Sequence, residues 1–173
     1  MLTRDAAALV VVDVQEAFRG YGVFADVAAA AAKLVEAARV LGVPTLVTEQ
    51  YPKGLGHAVT ELGLVPGARV VEKTVFSAAR ADGFSLDGRP QAILCGIEAH
   101  VCVAQTALDL LEQEVEVYLP ADAVGSRFPR DCEVAVRRLE RAGAVVTTVE
   151  AVLFELLERA GTPEFKAIQR LVR

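Results

Sequence analysis

Cys102 lies near the end of the segment Ile93-Leu94-Cys95-Gly96-Ile97-Glu98-Ala99-His100-Val101-Cys102-Val103. The apolar run stops at Gly96 and a helical pattern starts within a few residues, so Cys102 falls where a buried strand passes into the first turn of a helix. Unpaired N–H groups and the helix dipole favour negative charge there, and a thiol in that position is expected to tend toward thiolate. The same N–H groups can hold a developing oxyanion. Two further groups complete a chemically sensible set. Asp13 ends the apolar run Ala7–Val12, and Lys73 follows Val70-Val71-Glu72 in a chain whose only other lysines are Lys33, Lys53 and Lys166.

Taken singly, each residue has a plainer reading. A lone buried cysteine is usually a small hydrophobe, a lysine is usually a solvated cation, and an aspartate after a strand often caps a loop. Taken together they describe nucleophilic catalysis. Asp13 takes the thiol proton, Lys73 holds Asp13, and Cys102 attacks a carbonyl or imidate carbon. The N–H groups of Glu98 and Cys102 receive the oxyanion, and Asp13 then protonates the leaving group and activates water. This chemistry calls for no cofactor and no metal, and its partner is a small-molecule substrate.

Positioning these groups requires a parallel sheet. Ala7–Val12 reads as a strand buried on both faces, and Asp26–Leu41 as an Ala-rich helix stopped by Gly42 and Pro44. Thr45–Thr48 reads as a second strand, Gln50–Gly56 as a loop, and Arg69–Glu72 as a third strand. Gln91–Cys95 is the fourth strand, followed by a helix over Ala99–Gln113. Glu116–Leu119 is the fifth strand, Arg130–Ala142 a helix and Ala144–Thr148 the sixth strand. Glu150–Arg159 and Pro163–Val172 are closing helices. Alternation of strand and helix predicts an α/β fold with helices on both faces of the sheet, and such sheets bind ligands at the carboxyl ends of their strands. Asp13, Glu49, Lys73, the Glu98–Cys102 segment and Asp122 all fall at such ends.

Three stretches resemble the isochorismatase-like cysteine hydrolase superfamily, and more narrowly the isochorismatase domain-containing proteins. They are Val10-Val11-Val12-Asp13-Val14-Gln15, Glu72-Lys73-Thr74-Val75-Phe76-Ser77 and Gly96-Ile97-Glu98-Ala99-His100-Val101-Cys102. Glu49–Gly56, Ala121–Arg127 and Pro163–Gln169 extend the likeness over nearly the whole chain. The resemblance implies a three-layer α/β/α sandwich with a six-stranded parallel sheet over residues 1–173, and an Asp13–Lys73–Cys102 triad. It also implies a cis peptide at Ile97–Glu98 that turns the Glu98 N–H toward the oxyanion, and a homo-oligomer. Nicotinamidases of that superfamily bind a metal through an Asp-x-His pair and further histidines. Here the stretch reads Glu49-Gln50-Tyr51 with only His57 nearby, too few ligands for a convincing site. Isochorismatases proper lack the cysteine, so Cys102 points to amide-like (C–N) substrates.

The remaining expectations are more modest. The chain has 173 residues, 53% of them hydrophobic and 24% charged, which fits one globular domain. A net charge of −5 argues against nucleic acid as a partner. No apolar run is long enough for a bilayer, and Met1–Asp5 lacks a signal-peptide pattern, so a cytoplasmic location is expected. Phe18, Tyr51 and Phe76 follow the site motifs and are candidates for the pocket wall. Cys95 reads as core, Cys132 as structural and His100 as a loop or interface residue. Asp122 and Arg127 are expected to form an ion pair that fixes their loop. The alternative to hydrolysis is a binding or redox-sensing protein that uses a reactive Cys102 thiol. A dinucleotide-binding reading fails because no G-x-G-x-x-G follows the first strand.

Overall fold

The computed structural model describes all 173 residues. Its strands are β1 (Ala7–Val12), β2 (Thr45–Gln50), β3 (Arg69–Lys73), β4 (Gln91–Ile97), β5 (Glu116–Pro120), β6 (Val124–Gly125) and β7 (Val145–Thr147). The helices are α1 (Phe24–Leu41), α2 (Pro52–Leu55), α3 (Ala104–Glu112), α4 (Pro129–Ala142), α5 (Val149–Leu157) and α6 (Phe165–Leu171). Six strands run β3-β2-β1-β4-β5-β7, and every pairing is parallel. This is the expected six-stranded sheet. A seventh strand, the two-residue β6, joins the far end of β4 at Gly96 and Ile97.

The strand sequences follow from burial. All six residues of β1 and all seven of β4 are buried, which is why they lack the polar alternation of a half-exposed strand. Ala7, Leu9 and Val11 face the layer formed by α1, α5 and α6, whereas Val10 and Val12 face the layer of α3 and α4. The three-layer sandwich therefore comes from side chains alternating across a doubly covered sheet. Gly42 ends α1 in the left-handed region, and Gly143 does the same for α4.

Chain order reverses between β1 and β4. From β1 the sheet grows one way to β2 and β3, and from β4 it grows the other way. Crossovers leaving neighbouring strands in opposite directions open a crevice at their carboxyl ends. Asp13 directly follows β1, and the turn carrying Cys102 directly follows β4.

Most elements run one to three residues longer or shorter than the sequence indicates. The largest difference lies after β4. Ala99–Val103 is a π-helical turn, and regular α-helix starts only at Ala104. The hydrophobic pattern alone cannot distinguish a π turn from the first turn of an α-helix.

Candidate active site

Asp13 sits where β1 ends, with φ of 53°, a backbone conformation unusual for a residue with a side chain. Its N–H donates to Thr48 O at 3.2 Å. Its carboxylate is held on both oxygens: Thr48 Oγ1 donates to Oδ1 at 2.6 Å, and Lys73 Nζ donates to Oδ2 at 2.7 Å. The Asp13 and Lys73 side chains are fully buried. Burying a carboxylate is tolerable only with such partners.

Lys73 is the last residue of β3, in register with Gln50 on β2. Its ammonium donates to Asp13, to Gln50 Oε1 at 2.7 Å and to Phe76 O at 3.0 Å, with Val75 O a longer fourth contact at 3.4 Å, so all three protons are engaged. Gln50 Nε2 donates to Thr74 O at 2.9 Å. Gln15 braces this strand end from the other side. Its Oε1 accepts from Gln50 N at 2.7 Å, and its Nε2 donates to Gln50 O at 3.0 Å and Gly56 O at 2.6 Å. Thr48, Gln15 and Gln50 thus form the support of the Asp13–Lys73 pair. Sequence reasoning did not single them out, although Gln15 lies two residues past Asp13 and Gln50 ends a strand.

Cys102 lies in the π turn, where Val101 N and Val103 N both donate to Glu98 O at 3.0 and 3.3 Å. The residue is only 6% exposed. Thr106 Oγ1 donates to Cys102 O at 2.7 Å and accepts from Ala78 N at 2.8 Å, tying the turn to the segment after β3. Burial and the neighbouring Asp13 charge push the thiol up to about 12, against an opposing effect of Lys73. The direction is opposite to the expected tendency toward thiolate: loss of solvent and the carboxylate beside the sulfur both disfavour its charged form. Alkylation of Cys102 by iodoacetamide, followed by peptide mass mapping, should accelerate about tenfold per pH unit from neutral to pH 9. A rate that levels off below pH 7 would instead report a low-pKa thiol.

The Ile97–Glu98 peptide is cis, as the resemblance implied. A cleft of about 390 Å³ opens beside Lys73, lined among others by Tyr51, Lys53, Thr74, Val75 and Arg80. Of the three aromatic candidates, Tyr51 lines this cleft. Phe76 is 52% exposed and meets the site through its carbonyl. Phe18 packs on Tyr21, 5.4 Å between ring centroids, against the α1 side of the core.

Glu49 and His57 pair with each other rather than converging with further ligands. Glu49 Oε1 accepts from Ala58 N at 2.7 Å, and Oε2 meets His57 Nδ1 at 3.0 Å. No group of three or more His, Cys, Asp or Glu side chains gathers anywhere in the molecule in a way that could hold a metal ion. Asp122 and Arg127 do not form the anticipated ion pair. Asp122 Oδ1 accepts from Val149 N at 2.8 Å at the start of α5, and the Arg127 guanidinium stacks over Phe128 at 4.7 Å. An unpaired helix N–H and an aromatic face are the nearer partners. His100 Nδ1 meets Ser126 Oγ at 3.0 Å, Cys95 is core, and Cys132 is half-buried. No helix is long and apolar enough to cross a membrane.

The family model described as Isochorismatase domain matches residues 7–151. Isochorismatase domain-containing protein 2 of Bos taurus is 44% identical over 164 residues, covering 93% of this chain and 80% of its own. The solved structure titled MAR1 ribonuclease from Caenorhabditis elegans superposes with a TM-score of 0.92 at 41% identity, covering 99% of this chain and 91% of that one. YcaC from Pseudomonas aeruginosa, described with hexane-2,5-diol and covalent acrylamide, gives 0.86 at 26% identity over 98% and 90%. With the family model spanning every strand of the sheet and the relatives spanning nearly the whole chain, this protein belongs to the isochorismatase family of hydrolase-like α/β proteins.

Proposed function

We propose that the protein is a metal-independent cysteine hydrolase of small amide-like substrates. One observation carries this reading: a buried aspartate–lysine pair lies beside a nearly buried thiol at the topological switch point of the sheet. Because the resting thiol is protonated, attack is coupled to proton transfer. The Cys102 S–H proton passes to Asp13 while sulfur bonds to the amide carbon and the carbonyl electron pair moves onto oxygen. Glu98 N–H and Cys102 N–H receive that oxyanion. Its collapse breaks the C–N bond, and Asp13 returns the proton to the leaving nitrogen. Asp13 then takes a proton from water, whose oxygen attacks the thioester. The second collapse releases the acid, and Cys102 regains its proton from Asp13. Lys73 stays charged throughout and keeps Asp13 aimed.

The covalent acrylamide on the YcaC relative supports a reactive nucleophile in this fold. The ribonuclease name on another relative raises RNA as a substrate. A thiol only 6% exposed and a net charge of −5 favour a small molecule over a polyanionic strand. A thiol pushed up to about 12 is also a poor peroxide sensor, which weighs against the redox reading.

Intact-mass spectrometry of wild type and Cys102→Ala after incubation with small amides and aldehydes tests the proposal. A wild-type adduct that is absent from the variant, together with turnover reduced at least about 10³-fold, is the expected result. Equal hydrolysis by both proteins would remove Cys102 from the mechanism. RNA cleavage by wild type with no reaction on any amide would replace the substrate class.

A further inference from the structure

We infer that the Glu98 side chain is a positioning group: by clasping two loops, it aims the Glu98 N–H at the oxyanion formed on Cys102. The inference rests on the hydrolase reading above and assigns a role to a carboxylate which that mechanism leaves unused.

Every other polar part of Glu98 is committed. Its carbonyl accepts from Val101 N and Val103 N, the two bonds that wind the π turn toward Cys102. Its carboxylate bridges away from the turn. Oε2 accepts from Arg127 N at 3.0 Å in the loop between β6 and α4, and Oε1 accepts from Tyr21 OH at 3.4 Å just before α1. His100 Nδ1 lies 3.8 Å from Oε2. The Glu98 N–H alone donates to no carbonyl of the protein. An unengaged donor four residues before a nucleophile is what an oxyanion hole needs, provided that its direction is held.

The anchors are themselves firm. Tyr21 packs its ring on Phe18, its N–H donates to Phe18 O at 2.9 Å, and its carbonyl accepts from Phe24 N at 2.9 Å. Burial and the Glu98 charge push the Tyr21 hydroxyl up, so it remains a donor. Arg127 is steadied by its guanidinium over Phe128. Glu98 therefore ties the switch-point turn to both neighbouring loops. Truncating it frees the turn to rotate about the strand end and leaves the thiol network of Asp13 and Lys73 untouched.

The test separates oxyanion stabilisation from thiol reactivity. An aldehyde adds to Cys102 by forming the S–C bond, moving the carbonyl pair onto oxygen and passing the thiol proton to Asp13. The product depends on the oxyanion donors, whereas alkylation by iodoacetamide generates no oxyanion. Protection of Cys102 from iodoacetamide by acetaldehyde, butyraldehyde and benzaldehyde is measured in wild type, Glu98→Ala, Glu98→Gln and Tyr21→Phe. The expected result is an alkylation rate in Glu98→Ala within about twofold of wild type, with aldehyde affinity weakened roughly 10- to 100-fold, below the full loss of a donor. Glu98→Gln should return to within about threefold. Its amide oxygen can accept from Arg127 N, and its amide N–H can donate to the Tyr21 oxygen. Tyr21→Phe should fall between the two, and it carries the test if Glu98→Ala does not fold. Equal aldehyde affinity in wild type and the truncated variants overturns the inference, as does a parallel loss of alkylation, which would place Glu98 in support of the thiol. Wild type that no aldehyde protects and no amide modifies would instead refute the hydrolase reading itself.

Discussion

Lys73→Met is expected to lower stability by about 3–5 kcal/mol, the usual range when one partner of a buried ion pair is removed. The ammonium is the only charged partner of Asp13, and its loss leaves a fully buried carboxylate with neutral donors alone, Thr48 Oγ1 foremost. Gln50 Oε1 and Phe76 O lose their donor in the same substitution. Urea unfolding at pH 8 measures the loss. The double variant Asp13→Asn/Lys73→Met removes both charges and should recover most of the loss, because replacing a buried pair costs far less than breaking it. Both variants should be inactive. A single variant as stable as wild type at pH 8 would mean that water reaches Asp13 and that the pair is not buried in solution.

Gly96→Ala should be nearly as damaging, for a steric reason. Gly96 lies opposite Val12 where β1 and β4 end, with φ of 123°. A Cβ there would meet Val12 O at 1.9 Å and Val12 C at 2.8 Å, so backbone must move. A cost of about 4 kcal/mol is expected, at the upper end for single substitutions. For a chain of this length that corresponds to a melting temperature lower by roughly 8–16 °C. Any shift of Val12 carries Asp13 with it, so activity should fall more than stability alone explains. Gly42→Ala is the control. Its φ of 72° is also positive, but nothing lies within 4 Å of the added methyl, so about 1 kcal/mol is expected. Equal thermal shifts for the two variants would show that φ, rather than the approach of β1 to β4, decides the cost.

Much of the candidate site was legible in the sequence. Asp13, Lys73 and Cys102 could be picked out because each closes an apolar run or opens a helix, and a parallel sheet must bring such ends together. The supporting residues were not legible. Gln15, Gln50 and Thr48 are polar residues whose importance depends on what lies across the sheet. Thr48 matters because β2 sits beside β1 in a particular register, and Gln50 because that register places it opposite Lys73. Asp122 and Arg127 show the converse. Opposite charges five positions apart suggested a pair, but each had a better partner in another segment.

Sequence by itself determined the strand–helix alternation, the doubly buried strands and the candidates Asp13, Lys73 and Cys102, because these depend on hydrophobic periodicity and on residue type. Tertiary structure alone decided the surroundings of the thiol. A helix start argues for a thiolate by local electrostatics, yet Cys102 is buried beside the Asp13 carboxylate, and both push the thiol up. Desolvation and the charge of a residue 89 positions away are properties of the folded interior, and no local pattern encodes them.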